Sequence, residues 1–146
     1  MGNSTSSRDA IPMKLDTAAK TGVLNLTKQE VKASSPVRNS IGSPELAVKI
    51  KTLDLSCNPL KSLPAHILLL EHLKTLHISK CNLQRLPNLS TLNEMKKIDL
   101  DNNDLEETTV GSLPVSLKTL NLSFNHIIKF PDVLNVLVNV QDLDLR

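Results

Sequence analysis

At 146 residues the chain has room for one domain and little more. Its formal charge of +2 is too balanced to argue for nucleic acid, and its only aromatics, Phe124 and Phe130, leave no stacking platform for single strands. Two cysteines are too few for a disulfide framework, and the longest clean apolar run, residues 67–70, is far too short to span a bilayer.

The first residues are polar and carry no signal-peptide hydrophobic region, so the expected compartment is the cytosol or the cytosolic face of a membrane. In that setting the sequons at Asn3, Asn25, Asn88 and Asn121 are chance matches. Residues 1–6, Met1-Gly2-Asn3-Ser4-Thr5-Ser6, fit the N-myristoylation pattern M-G-x-x-x-[ST], with Gly2 as the acylated residue. One myristoyl chain anchors weakly and reversibly, and no cysteine lies nearby for a second lipid. Arg8, Lys14 and Lys20 are a thin basic supplement, interrupted by Asp9 and Asp16. Weak, reversible membrane association is the expectation; a flexible polar tail over residues 1–10 is the simpler alternative.

Residues 11–49 divide into three pieces. The first, residues 12–20, predicts a short helix, with Pro12 suited to its first turn and Gly22 to its stop. Ile11, Leu15, Ala18 and Ala19 form a narrow apolar stripe along it, which favours capping the end of a repeat stack over lying on a membrane surface. Next comes a degenerate copy of the repeat described below, with Leu24, Leu26 and Val31, and Gln29 where Asn is expected. Leu24 and Leu53 are 29 residues apart, six or seven too many, and the Ser- and Pro-rich excess in residues 33–44 reads as a loop. Its Ser35-Pro36 and Ser43-Pro44 fit proline-directed phosphorylation, although a plain loop is the favoured reading of both.

From residue 50 to 146 one pattern recurs. Its positions are Ile50, Leu53, Leu55, Asn58 and Leu60; then Leu73, Leu76, Ile78, Cys81 and Leu83. The third copy has Met95, Ile98, Leu100, Asn103 and Leu105, and the fourth Leu117, Leu120, Leu122, Asn125 and Ile127. A fifth begins at Val140, Leu143 and Leu145, and the starts are 23, 22, 22 and 23 residues apart. Side chains alternate along each central segment, so Leu53 and Leu55 face one way while Thr52, Asp54 and Ser56 face the other. One unit cannot bury its apolar face alone; stacked units can. The Asn of each copy turns the chain out of the strand, and Cys81 in that place reads as a tolerated structural substitute. Pro64, Pro87 and Pro131, each 14 residues from its repeat start, predict short helical returns. The third copy has Thr109 there, with Pro114 five residues late, so an irregular segment is expected.

The pattern resembles L-x-x-L-x-L-x-x-N/C-x-L of the leucine-rich-repeat family. That resemblance implies an α/β fold, a leucine-rich-repeat solenoid in which a right-handed β-α superhelix carries parallel strands on its concave face and short helices or turns on its convex face. Residues 1–4 and Thr17 to Leu26, leading into repeats, resemble the intracellular, N-myristoylated members of that family, which implies acylation of Gly2. Those members run on for further repeats and have a regular first repeat where this chain carries its Ser/Pro-rich insertion. Together with a last strand left uncovered at Arg146, this suggests a truncated or short form.

Such a fold binds proteins through its concave face, and the expected central column there is Asp54, His77, Asp99, Asn121 and Asp144. Lys51, Lys74, Lys96 and Lys118 form an unbroken row at one edge, a candidate contact for an acidic partner or simply a solvated rim. Phe124 is either an exposed anchor or packed against a neighbouring turn. The candidate protein-binding residues are therefore Lys51, Lys74, His77, Lys96, Asp99, Lys118, Asn121 and Phe124. No catalytic residue, metal site, cofactor or small-molecule substrate is expected: His66, His72, His77 and His126 are scattered, His77 with Cys57 and Cys81 lacks a fourth ligand, and four glycines form no phosphate loop. The leading expectation is a protein-interaction scaffold or adaptor. The alternatives are a regulatory subunit of an enzyme complex (a phosphatase or ubiquitin ligase), or an incomplete isoform without a function of its own.

Overall fold

The structure, a computed structural model, describes residues 10–32, 34–110 and 112–146. Six short parallel strands form one sheet in sequence order: β1 Val23–Asn25, β2 Thr52–Asp54, β3 Thr75–His77, β4 Lys97–Asp99, β5 Thr119–Asn121 and β6 Asp142–Asp144. The middle residues Leu24, Leu53, Leu76, Ile98, Leu120 and Leu143 pair in direct register. The degenerate first copy is thus a true rung, despite its 29-residue spacing. Leu53, Leu55, Leu76, Ile78, Ile98 and Leu100 are fully buried, forming the continuous aliphatic column that no single copy could hide.

The turns after β2, β4 and β5 are fastened to their neighbours by the amides of Asn58, Asn103 and Asn125. Asn58 Nδ2 donates to the carbonyls of Leu26, Leu55 and Ser56, while its Oδ1 accepts the N–H groups of Gln29 and Val31. Asn103 repeats this set toward Ile78, Leu100, Asp101, Cys81 and Leu83. Each amide therefore laces its own copy to the preceding one. In the second copy the Cys81 thiol donates to the carbonyls of Leu55, at 3.2 Å, and Ser79, at 3.3 Å. A thiol offers only a weak acceptor, and the Leu60 N–H turns instead to the carbonyls of Asn58 and Cys81. Gln29 manages one side-chain bond, from Nε2 to the Thr27 carbonyl, its extra methylene misplacing the amide.

Helix α1 (Ala10–Thr21) closes the β1 edge. Ala18 is buried, with Ile11, Leu15 and Ala19 packed on the core, and Lys14 Nζ donates to the Asn25 carbonyl at 3.0 Å. The apolar stripe is turned toward the sheet. Gly22 ends the helix with φ +75°, and a Cβ there would meet the Lys49 carbonyl oxygen at 2.9 Å, so glycine is required.

Two expectations need correction. The Ser/Pro-rich segment is not a plain loop: it contains α2 (Val37–Ile41) and α3 (Pro44–Ala47), which bury Val37, Ile41 and Leu46. Pro36 and Pro44 stand at helix starts, where a missing N–H costs nothing. Helical returns follow Pro64 and Pro131, as 3₁₀ turns over Ala65–Leu69 and Asp132–Val136, but none follows Pro87. There the Leu86 and Leu89 N–H groups donate to the carbonyls of Thr109 and Ser112 in the next copy, and Asn88 Oδ1 accepts the Ser90 N–H. The irregular third copy thus offers carbonyls that hold the second in an extended path. In that third copy Thr109 itself closes a turn, its hydroxyl accepting the Glu106 N–H and donating to the Glu106 carbonyl.

Candidate protein-binding face

Strand pairing aligns the residues between the leucines into columns. Asn25, Asp54, His77, Asp99, Asn121 and Asp144 are consecutive partners, flanked by Thr52, Thr75, Lys97, Thr119 and Asp142. One residue further out, the N–H of each lysine in the edge row donates to the carbonyl of the lysine before it. The distances are 2.8 Å for Lys74 to Lys51, 2.8 Å for Lys96 to Lys74 and 2.9 Å for Lys118 to Lys96. Four exposed ammonium side chains are thereby rooted on adjacent rungs, roughly 4.8 Å apart at the backbone.

The central column is less free than the alternation of side chains implies. Each Asx residue accepts the N–H two residues on: Asn25 from Thr27, Asp54 from Ser56, Asp99 from Asp101, Asn121 from Ser123 and Asp144 from Arg146, at 2.9–3.2 Å. Asp99 and Asn121 therefore cap their own strands with one oxygen and present the rest to solvent. The spacing signal, Asp or Asn directly between two aliphatic core residues of every strand but β3, is present in the sequence and points to this capping as well as to binding. His77 breaks the column, and its Nδ1 lies 3.7 Å from Asp99 Oδ2. Beside it, Ser123 Oγ bridges Asn121 Oδ1 and Asp101 Oδ1, at 2.5 and 3.0 Å.

The lysine row carries its own counter-charge. Glu94, missed by sequence reasoning because it follows an ordinary turn, puts Oε1 2.8 Å from His72 Nδ1 and Oε2 3.9 Å from Lys74 Nζ. The His72 hydrogen bond, with the charges of Lys74 and Lys51, holds the Glu94 carboxyl below the usual range. Among the described residues no ion pair reaches Lys96 or Lys118, which leaves those two as the open end of the row.

Phe124 occupies the residue before the turn amide, where Lys28, Cys57, Lys80 and Asn102 stand in the other copies, all with φ between 55° and 59°. Phe124 shares that left-handed conformation, with φ 52°, and its side chain is 64% exposed. Of the two roles open to it, packing against a turn is not what the geometry shows. Among the described residues, no group of three or more His, Cys, Asp and Glu is placed to hold a metal ion. Burial pushes the Cys81 thiol up to about 11. Gly2 lies outside the described residues.

The family model described as Leucine Rich Repeat matches residues 49–70 and 116–137, the first and fourth copies. A Shigella effector leucine-rich-repeat domain superposes with a TM-score of 0.72 at 25% identity over 99% of this chain. The fold is a leucine-rich-repeat solenoid. A TDR receptor superposes with a TM-score of 0.67 at 24% identity over 92% of this chain, and YopM from Yersinia enterocolitica with 0.58 at 24% identity over 100% of this chain. The solenoid spans 59%, 24% and 34% of those three structures, respectively. No curated protein sequence gives a significant match. Leucine-rich-repeat solenoids are in general non-enzymatic scaffolds that offer their curved strand face to protein partners. Among the described residues, no helix is long and apolar enough to cross a membrane.

Proposed function

We propose that the chain is an interaction scaffold or adaptor that captures an acidic protein segment across the Lys51, Lys74, Lys96 and Lys118 row and the adjoining His77, Asp99 and Asn121 column. The observation that carries this reading is the in-register ladder, which roots four exposed lysines on consecutive rungs, with Glu94 beside Lys74 and the Lys96 and Lys118 end left open. Phe124, exposed at the far end of the same strand set, supplies an apolar contact. We further propose that Gly2 is myristoylated and gives weak, reversible attachment to the cytosolic face of a membrane. What supports this is the residue 1–6 motif and the likeness of the N-terminal sequence to leucine-rich-repeat-containing protein 57.

Affinity capture tests the face. Reversing Lys74, Lys96 and Lys118 to Glu abolishes partner capture if the row is the contact; unchanged capture removes it. Vesicle flotation of wild type against Gly2→Ala tests the lipid, and equal partitioning removes that part alone. Co-purifying phosphatase or ubiquitin-ligase activity would instead assign the chain to the regulatory subunits.

A further inference from the structure

The 29-residue path from Leu24 to Leu53 does more than delay the second rung. Its extra residues fold as α2 and α3 rather than spreading over the solenoid; α3 packs against α1, and the segment leading into α2 forms a second wall facing it. Between the two walls lies a cleft of about 690 Å³. Ile11, Pro12 and Leu15 of α1 form one side; Val31, Pro36 and Val37 form the other. Hydroxyls of Ser34, Ser35 and Ser40 and the charged Glu30 and Lys32 complete the lining. An apolar trough of this size, with polar groups beside it, has the dimensions of small-ligand sites, which run about 300–1,000 Å³.

The spacing between the acylation motif and the cleft wall says what fits it. Gly2 precedes Ile11, on the cleft wall, by nine residues, a stretch that reaches at most about 30 Å, so the cleft lies within its span. We propose that the cleft between α1 and the α2 segment is an acyl-chain site, and that its occupant is the myristoyl group carried on Gly2 of the same chain. The inference rests on the acylation of Gly2 proposed above. A buried chain is withdrawn from the bilayer, so membrane attachment then depends on release of the lipid from the cleft. The weakness of a single myristoyl anchor makes such competition effective, since each methylene buried in protein is one not buried in lipid.

The test compares acylated protein, made by co-expression with an N-myristoyltransferase and verified by mass, with the unacylated chain. The probe is a fluorescent long-chain fatty acid, followed by its emission. The unacylated chain should bind one equivalent, and the acylated chain should bind at least tenfold more weakly because its own lipid fills the cleft. Ser40→Trp, which adds bulk to the lining, and Ile11→Gln, which makes it polar, should each weaken probe binding tenfold in the unacylated chain. Both are checked for an unchanged far-UV spectrum and cooperative melt, and the acylated Ser40→Trp form should float with vesicles more than acylated wild type. Equal probe binding by acylated and unacylated chains overturns the inference while leaving the acylation intact. No probe binding by the unacylated chain overturns it as well. Failure of the transferase to modify Gly2, with probe binding preserved, overturns the acylation itself and the occupant with it.

Discussion

Asn58 Oδ1 accepts the backbone N–H of Val31, 27 residues earlier, at 2.9 Å, while its Nδ2 donates to the Leu26 carbonyl. One buried amide thus satisfies groups on two turns at once, and replacing it leaves both turns short of partners. Asn58→Ala or Asn103→Ala should therefore cost about 3–5 kcal/mol, several buried polar groups at about 1–3 kcal/mol each with partial relaxation. Urea unfolding followed by circular dichroism measures it, and a loss under about 1 kcal/mol would mean that the amides are not what ties the turns. Cys81→Asn restores the missing rung and should raise the midpoint.

Phe124 pairs an unfavourable backbone conformation with an exposed ring. Phe124→Asn places a residue that tolerates left-handed φ and should stabilise the fold by about 0.5–1 kcal/mol. The same change should weaken partner capture if the ring is an anchor. Higher stability with undiminished capture would show that the ring has no part in binding.

The two thiols should differ in chemistry. Cys57 is half-exposed, whereas Cys81 is buried and both its sulfur contacts require the protonated form as donor. Alkylation at pH 8 should label Cys57 in the native state and Cys81 only on unfolding. The Cys81 proton is held more tightly in the fold, about 11 against 9.0 in the ordinary thiol. Its stabilising contribution is therefore complete below pH 9 and is lost as pH rises toward 11. A melt series across that window should fall for wild type and fall less for Cys81→Ala.

Glu94 has the opposite sign. Its carboxyl titrates lower in the fold than in the open chain, so the His72 contact stabilises above the usual carboxylate range and is lost as pH falls through the depressed value. Glu94 is half-exposed and salt-screened, so the stability change on Glu94→Gln should be small. Its effect on binding should be larger, because Lys74 is released from the Glu94 carboxylate and the row gains positive charge. Glu94→Gln should strengthen capture of an acidic partner at low salt, and the gain should vanish in high salt. Weaker capture would mean that Glu94 itself touches the partner.

The stacking of the copies was legible because leucine alternation and a 22- or 23-residue period admit few other architectures, and the pairing of Leu24 with Leu53 shows that even the degenerate copy obeyed it. Features set by neighbours in space were not legible. Residues 33–44 read as a loop because serine and proline dominate them, yet Val37 and Ile41, one helical turn apart, find the solenoid core and fold. Pro87 promised a helical return, but carbonyls of the irregular third copy compete for the N–H groups it would have used. The candidate face shows the same division. The lysine row could be read by position, whereas the strand-capping duty of Asp99 and Asn121 and the counter-charge of Glu94 depend on side-chain geometry.

The turn amides also bear on how the molecule carries load. Each amide laces adjacent copies only, so tension along the stack is passed from copy to copy through those side chains and the backbone ladder beside them. Between the first and second copies the lacing side chain is a thiol, a weaker donor than an amide, reaching a single carbonyl across the gap. Pulled from its two ends, the solenoid loads that seam chiefly through its backbone, where the N–H groups of Leu60 and Lys61 reach the Cys81 carbonyl in place of a side-chain amide.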